Sequence, residues 1–243
     1  MAPGHGLPSD PVTSVIEWIW PRPLRLASWL SAAQRGLVPV DDALERAGVQ
    51  GSALSFGSLA TRGMTIVGVL AEPAAGPGLG LPPAAHTASL VDGGAVLACG
   101  PQGAVIVAID GVLRLYEAPG LPIPPLDSLG VAERHLLNDV TEATVVLADL
   151  GLARPDDKAA AVLASVPRVL ADYPMPPGTS GRAQLLRDRA ALLVVGIELA
   201  LAPRLDAPTV QLSAIRRDVL LAARRSGRKA LETASNEAAL VAG

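Results

Sequence analysis

The chain has 243 residues, of which 50 % are hydrophobic, 2 % aromatic and 18 % charged, with a net charge of −3. That apolar content excludes intrinsic disorder, and the length suits one large domain or two small ones. A single cysteine excludes an internal disulfide framework and a cysteine-rich zinc site. No basic segment backed by an apolar stretch is evident, so a cytoplasmic protein without a signal peptide is expected.

The mean hydropathy of +0.38 invites a membrane reading. However, 42 alanines raise that value while adding little side chain to bury. The best spanning candidate, 190–202, carries Glu198 and ends at Pro203, short of the ~20 residues a membrane helix needs. A buried soluble helix is the expectation there.

Proline clusters at 21–23, 73–83, 119–125 and 174–177 mark where elements end, because proline lacks the N–H and restricts its predecessor. Residues 1–48 read as helical: Val15, Ile16, Trp18 and Ile19 begin an apolar surface. Leu24, Leu26, Trp29 and Leu30 continue it after the Pro-Arg-Pro break. Residues 41–48 have acids in a first turn and a glycine stop, as a short helix should. Thr65-Ile-Val-Gly-Val-Leu70 is a branched apolar run and reads as a buried strand. A Gly/Pro loop follows, then a short helix over 82–91 with proline at its start.

Three more strands are expected over 95–99, 104–109 and 112–116. Gly100-Pro-Gln-Gly103 turns between the first two, and Asp110-Gly111 favours a tight hairpin between the last two. After Pro125 the pattern turns helical. Helices are expected over 128–150, stopped by Gly151; over 155–173, interrupted at Pro167; and over 180–201, apolar on all sides and so surrounded by others. A last helix over 208–226 carries Leu212, Ile215, Val219 and Ala222 on one side, with Arg217, Arg224 and Arg228 on another. The expected class is α+β. A small, mostly antiparallel sheet with short helices fills 1–122, a helical bundle fills 123–243, and the two could pack as one domain.

Leu24-Arg-Leu-Ala-Ser-Trp-Leu30, Val40-Asp-Asp-Ala-Leu44 and Gly78-Leu-Gly-Leu-Pro-Pro-Ala-Ala85 carry a resemblance over residues 24–110. In these stretches the chain resembles a family of uncharacterised proteins from high-GC actinobacteria. The family pattern runs from a strand into a Gly-Leu-Pro-Gly-Pro-Ala-Ala segment, then a short helix and another strand. Here the second glycine of that segment is missing, and His86-Thr87 stand where Phe-Asn is usual. The resemblance implies the strand, loop, helix and strand order and a cytosolic protein. It carries over no catalytic role.

Gly76-Pro-Gly-Leu-Gly80 sits between a strand and a helix, the place for a phosphate-binding loop. Its spacing departs from a dinucleotide fingerprint at Leu81, and its prolines delete the N–H groups an anion would use. His135, Asp139 and Glu142 fall at i, i+4 and i+7 on one helix face and are the candidate metal ligands. A solvated polar face accounts for the same residues without any metal and is the preferred reading. Cys99 with His86 or His135 as base would be a nucleophile, yet a lone thiol in an apolar strand is usually a small core residue. Residues 204–229 hold seven basic side chains against Asp206 and Asp218. Arginine can grip phosphate or carboxylate, but six aromatics in all and an acidic chain argue against nucleic acid.

Two functions remain. The first is a non-catalytic protein-binding or homo-oligomeric assembly protein, whose interface is anchored by Trp18, Trp20 and Trp29. It expects a homo-oligomer such as a dimer, a protein partner and no membrane. The alternative is a small anionic metabolite binding protein or enzyme using the loop 76–86 and the basic helix 208–228. Its candidate ligand residues are Gly78, Gly80, His86, Arg217 and Arg224. No cofactor and no catalytic residue is expected, and the first reading is preferred.

Overall fold

The Pro-Arg-Pro motif makes the first junction of the chain. Helix α1 (Pro11–Ile19) ends before it, and α2 (Arg22–Gln34) begins within it. Pro21 is the N-cap and Pro23 lies in the first turn, where a missing N–H deprives no helical bond. The computed structural model describes residues 11–49, 63–71, 81–109, 112–149, 157–201 and 210–241. The loop 72–80, the Asp110-Gly111 turn and the Gly151 stop lie outside the described residues.

Helix α3 (Val40–Arg46) starts with Asp41 and Asp42 and stops at Gly48, which has a positive φ of 72°. Strand β1 (Thr65–Leu70) is followed by α4 (Pro83–Asp92), then β2 (Gly94–Cys99), β3 (Ala104–Ile109) and β4 (Val112–Glu117). The sheet is an antiparallel meander in the order β1-β2-β3-β4. Its registers run from Thr65↔Cys99 to Leu70↔Gly94, through Val96↔Ile106, and from Ala104↔Glu117 to Ile109↔Val112. The chain then forms α5 (Leu129–Asp149), α6 (Asp157–Asp172), α7 (Gly181–Leu201), α8 (Val210–Ser235) and α9 (Glu237–Val241). The fold class is α+β, with the sheet in the middle of the chain and the helices towards its C-terminal end.

Alternation along the strands sends their side chains to two faces. On one face Ile66, Val96, Ala98 and Ile106 meet Leu26, Ala27 and Leu30 of α2. On the other, Val67, Leu97, Val105 and Val107 meet Ala85 and Ala88 of α4. The opposite side of α2 joins the helical core: Leu24 and Trp29 pack with Leu136, Val166, Leu186, Val194 and Leu231. Residues 23–32 of α2 are consequently buried without a break. The N-terminal and C-terminal regions share this core.

Two helix boundaries differ from the sequence expectation. Helix α6 runs through Pro167 without interruption. Pro167 itself is exposed, between the buried Val166 and Leu170. Helix α8 continues nine residues past Ser226, through Gly227. A Cβ on Gly227 would stand 2.8 Å from Val194 Cγ2, so glycine there permits close packing of α8 on α7. The buried stripe of α8 is Leu220, Ala223, Ala230, Leu231 and Ala234, whereas Ile215 and Ala222 are exposed.

The extra turns of α8 carry its end to the outer edge of β1. Asn236 there behaves as a strand's peptide group: its Oδ1 accepts the Gly68 N–H at 2.7 Å, and its Nδ2 donates to the Gly68 carbonyl at 2.8 Å. Glu232 Oε1 accepts the Leu70 N–H at 2.6 Å, and Arg228 donates to the Ala71 carbonyl at 3.3 Å. Gln34 of α2 donates to the carbonyl of Met64. Side chains thus close an edge that would otherwise present unpaired peptide groups.

Removal of Asn236 leaves a buried N–H and a buried carbonyl without partners, each costing about 1–3 kcal/mol. We expect Asn236→Ala to lose roughly 2–4 kcal/mol in urea denaturation. An exposed control such as Thr141→Ala should change stability by less than about 0.5 kcal/mol. Equal effects of the two substitutions would refute the role given to Asn236.

Candidate functional site

The opposite edge of the sheet is built differently. Val112-Leu-Arg-Leu-Tyr-Glu117 folds back on β3, and the Ala118 N–H bonds the Gly103 carbonyl at 2.8 Å. That bond fixes the alternation: even-numbered residues of β4 exchange hydrogen bonds with β3. The N–H and C=O groups of Leu113, Leu115 and Glu117 therefore point away from the sheet. Among the described residues no helix lies over this strand as α2 and α4 lie over the others. Val112 is 57 % exposed and Leu115 47 %.

At the end of the same edge lies a groove of about 710 Å³. Leu81, Pro82 and Pro83 form one wall, while Ala118, Pro122 and Ile123 belong to the other side. Among its described lining residues six are prolines, which have no N–H to offer an anion, and one, Glu117, is charged. Such a groove suits an apolar side chain rather than a phosphate. Two smaller cavities, of 260 and 290 Å³, flank Arg35. The first is lined by Ser180 and Glu237, whose carboxylate already accepts the Ser180 N–H at 2.8 Å.

Where the structure describes them, the residues singled out by sequence fall on separate elements. Gly78 and Gly80 lie outside the described residues. His86 is half-buried on α4, which rests on β2 and β3. Arg217 is exposed on α8, and Arg224 is paired with Glu198 of α7 at 2.6 Å. That pairing also supplies the partner Glu198 needs within its apolar helix. His135 and Glu142 are exposed on α5, Asp139 is half-buried, and no group able to hold a metal ion occurs among the described residues. Cys99 is buried in β2, and burial pushes its thiol up to about 11, so it carries no thiolate at neutral pH.

The tryptophans belong to the interior. Trp20 is 1 % exposed and donates from Nε1 to Ser235 Oγ at 2.9 Å, beneath the Arg187 guanidinium 5.2 Å from its ring. Trp29 is also buried, and Trp18 packs half-buried against the same cluster. Core packing of Trp20 and Trp29 leaves them no surface to offer a partner. The open β4 edge had a signal in the sequence: Arg114 and Glu117 fall on opposite faces of one strand. A strand wetted on both faces belongs at a sheet edge.

One buried charge cluster lies at the α1–α2 junction. Glu17 pairs with Arg25 at 2.6 Å and with Arg22 at 3.7 Å, and Arg22 reaches Asp92 at the end of α4 at 3.4 Å. The Arg25 guanidinium lies 5.5 Å from the Tyr173 ring, and burial pulls its pKa down. Burial pushes the Asp92 carboxyl up to about 7, against the opposing pull of Arg22. The cluster joins the helical layer to the sheet layer through α4.

Between pH 4 and 7 folded Asp92 holds a proton that the unfolded chain has released, so this residue's contribution weakens as pH rises and levels off above 7. The melting temperature of Asp92→Asn relative to wild type should therefore climb across that window and stay constant above it. A pH-independent difference between the two proteins would refute the assignment. Comparison with protein-family models, with curated proteins and with solved structures finds no match to this chain.

Proposed function

We propose that this is a non-catalytic protein-binding and assembly protein whose binding surface is the open β4 edge. One observation carries the reading: side chains of α2 and α8 and of Asn236 close the β1 edge, whereas the β4 edge keeps its outward peptide groups and exposed apolar side chains. An added strand gains main-chain hydrogen bonds along such an edge, and side-chain pockets beside it select the partner. The groove after β4 supplies such a pocket. Against a catalytic reading stand the buried thiol of Cys99, the internal pairing of Arg224 and the exposed, ungrouped His135. A cytoplasmic, homo-oligomeric protein fits the same reading, and no helix among the described residues is long and apolar enough to cross a membrane.

A photo-crosslinking residue placed at Leu115 in living cells should give a discrete protein adduct. The same residue at Thr141, exposed on α5, should give none. Silence at position 115, or equal labelling at both positions, would overturn the proposal.

A further inference from the structure

We propose that the occupant of the β4 edge is the β4 edge of a second copy, paired antiparallel about a two-fold axis through Leu115. This rests on the protein-binding reading above and names its partner. Leu113, Leu115 and Glu117 are the outward-pointing residues of β4, and they are symmetric about Leu115. A two-fold axis normal to the sheet keeps each face on its own side, so it pairs odd-numbered residues with odd-numbered ones. Centred on Leu115, it sets Leu113 opposite Glu117 of the second copy and Leu115 opposite its own equivalent. All three outward peptides of each copy are then used.

The side chains agree with that register. Val112 pairs with Ile109 on the α4 face, and it stands exposed at one end of the edge. The groove lies at the other end of the edge, with Ala118 and Pro83 at the start of α4 in its wall. The two-fold brings Val112 of each copy opposite Ala118 of the other, at the mouth of that groove. Knob and recess at opposite ends of one strand are what an isologous contact requires. On the same face Arg114 comes opposite Tyr116 of the second copy, a cation against an aromatic ring.

Neighbouring registers fit less well. A shift by two residues one way sets Arg114 against Arg114, and like charges directly opposite are unfavourable. The other way leaves Leu113 unpaired and moves Val112 past the groove. The closed β1 edge stops growth on the far side, so pairing yields an eight-stranded dimer rather than a filament.

The register is read by mixing two single variants, Arg114→Cys and Tyr116→Cys, under mild oxidation. Residues 114 and 116 of the two copies form a pair without mutual hydrogen bonds, about 4.5 Å apart at Cα. That spacing lies within the range a disulfide spans. Cys99 is buried and stays out of the exchange. The mixture should give a disulfide-linked dimer at least about tenfold faster than either variant alone. Faster self-linking of either single variant would overturn the register.

A second variant tests the pairing without cysteine chemistry. Leu115→Lys sets two like charges on the axis and should raise the dimer dissociation constant at least about tenfold. Its melting temperature should hold in the monomer range, because Leu115 is half exposed. A wild-type protein that stays monomeric in sedimentation at all concentrations, with no linked dimer, would overturn the pairing. If position 115 then still captures a different protein in cells, the protein-binding reading stands without it. If position 115 captures nothing, both fall.

Discussion

The arrangement of this molecule turns on the pair of hydrogen bonds between the Asn236 side chain and the Gly68 peptide. A carboxamide carries the same donor and acceptor as a backbone amide, so Asn236 completes β1 as another strand would. Gly68 makes the approach possible from the other side. A Cβ there would lie 2.9 Å from Ala27 and 3.1 Å from both Leu24 and the Pro23 carbonyl. Helix α2 can therefore lie directly on β1, and the end of α8 can reach the edge that α2 leaves accessible. One residue position joins sheet, central helix and bundle.

That joint explains the asymmetry of the sheet. The β1 side must meet the helical bundle, because α2 faces both layers and is buried along residues 23–32. Peptide groups buried at such a junction need partners, and Gln34, Arg228, Glu232 and Asn236 supply them. Among the described residues nothing comparable acts on β4, the strand farthest from the joint in the sheet order. Its outward peptides can be satisfied by water or by another strand, and its Val112 and Leu115 stand exposed. Closure at one edge and openness at the other follow from where the bundle sits.

Much of this was legible in the sequence. Branched apolar runs between glycine and proline marked all four strands, and the Pro-Arg-Pro and Leu-Pro-Pro motifs marked the starts of α2 and α4. Local rules misled where tertiary packing overruled them. The expected last helix ended at Ser226, yet Gly227 sits inside α8, where Val194 needs the space a Cβ would fill. The buried stripe of α8 follows the C-terminal half of the helix, which the shorter reading left out. Trp20 and Trp29 read as surface anchors because sequence distance hides what covers them: Trp20 meets Ser235 across the chain. No spacing rule announces that Asn236 faces Gly68, since the contact spans 168 positions.

The distribution of charge leads to the same part of the molecule. Arg187 is buried over Trp20 and bonded to the Tyr173 carbonyl, Arg216 donates to the Ala200 carbonyl, and Arg224 holds Glu198. These contacts tie helices together, so Arg216 and Arg224 of the basic segment that suggested an anion site are engaged in holding the bundle, while Arg217 and Arg225 are exposed. A buried charge without a partner is costly, and the need to pair each one fixes how helices can cross. On β4 the ordering is reversed: Arg114 and Glu117 are exposed there. Charges at the joint constrain one fold, while Arg114 and Glu117 on the open edge face water and constrain none.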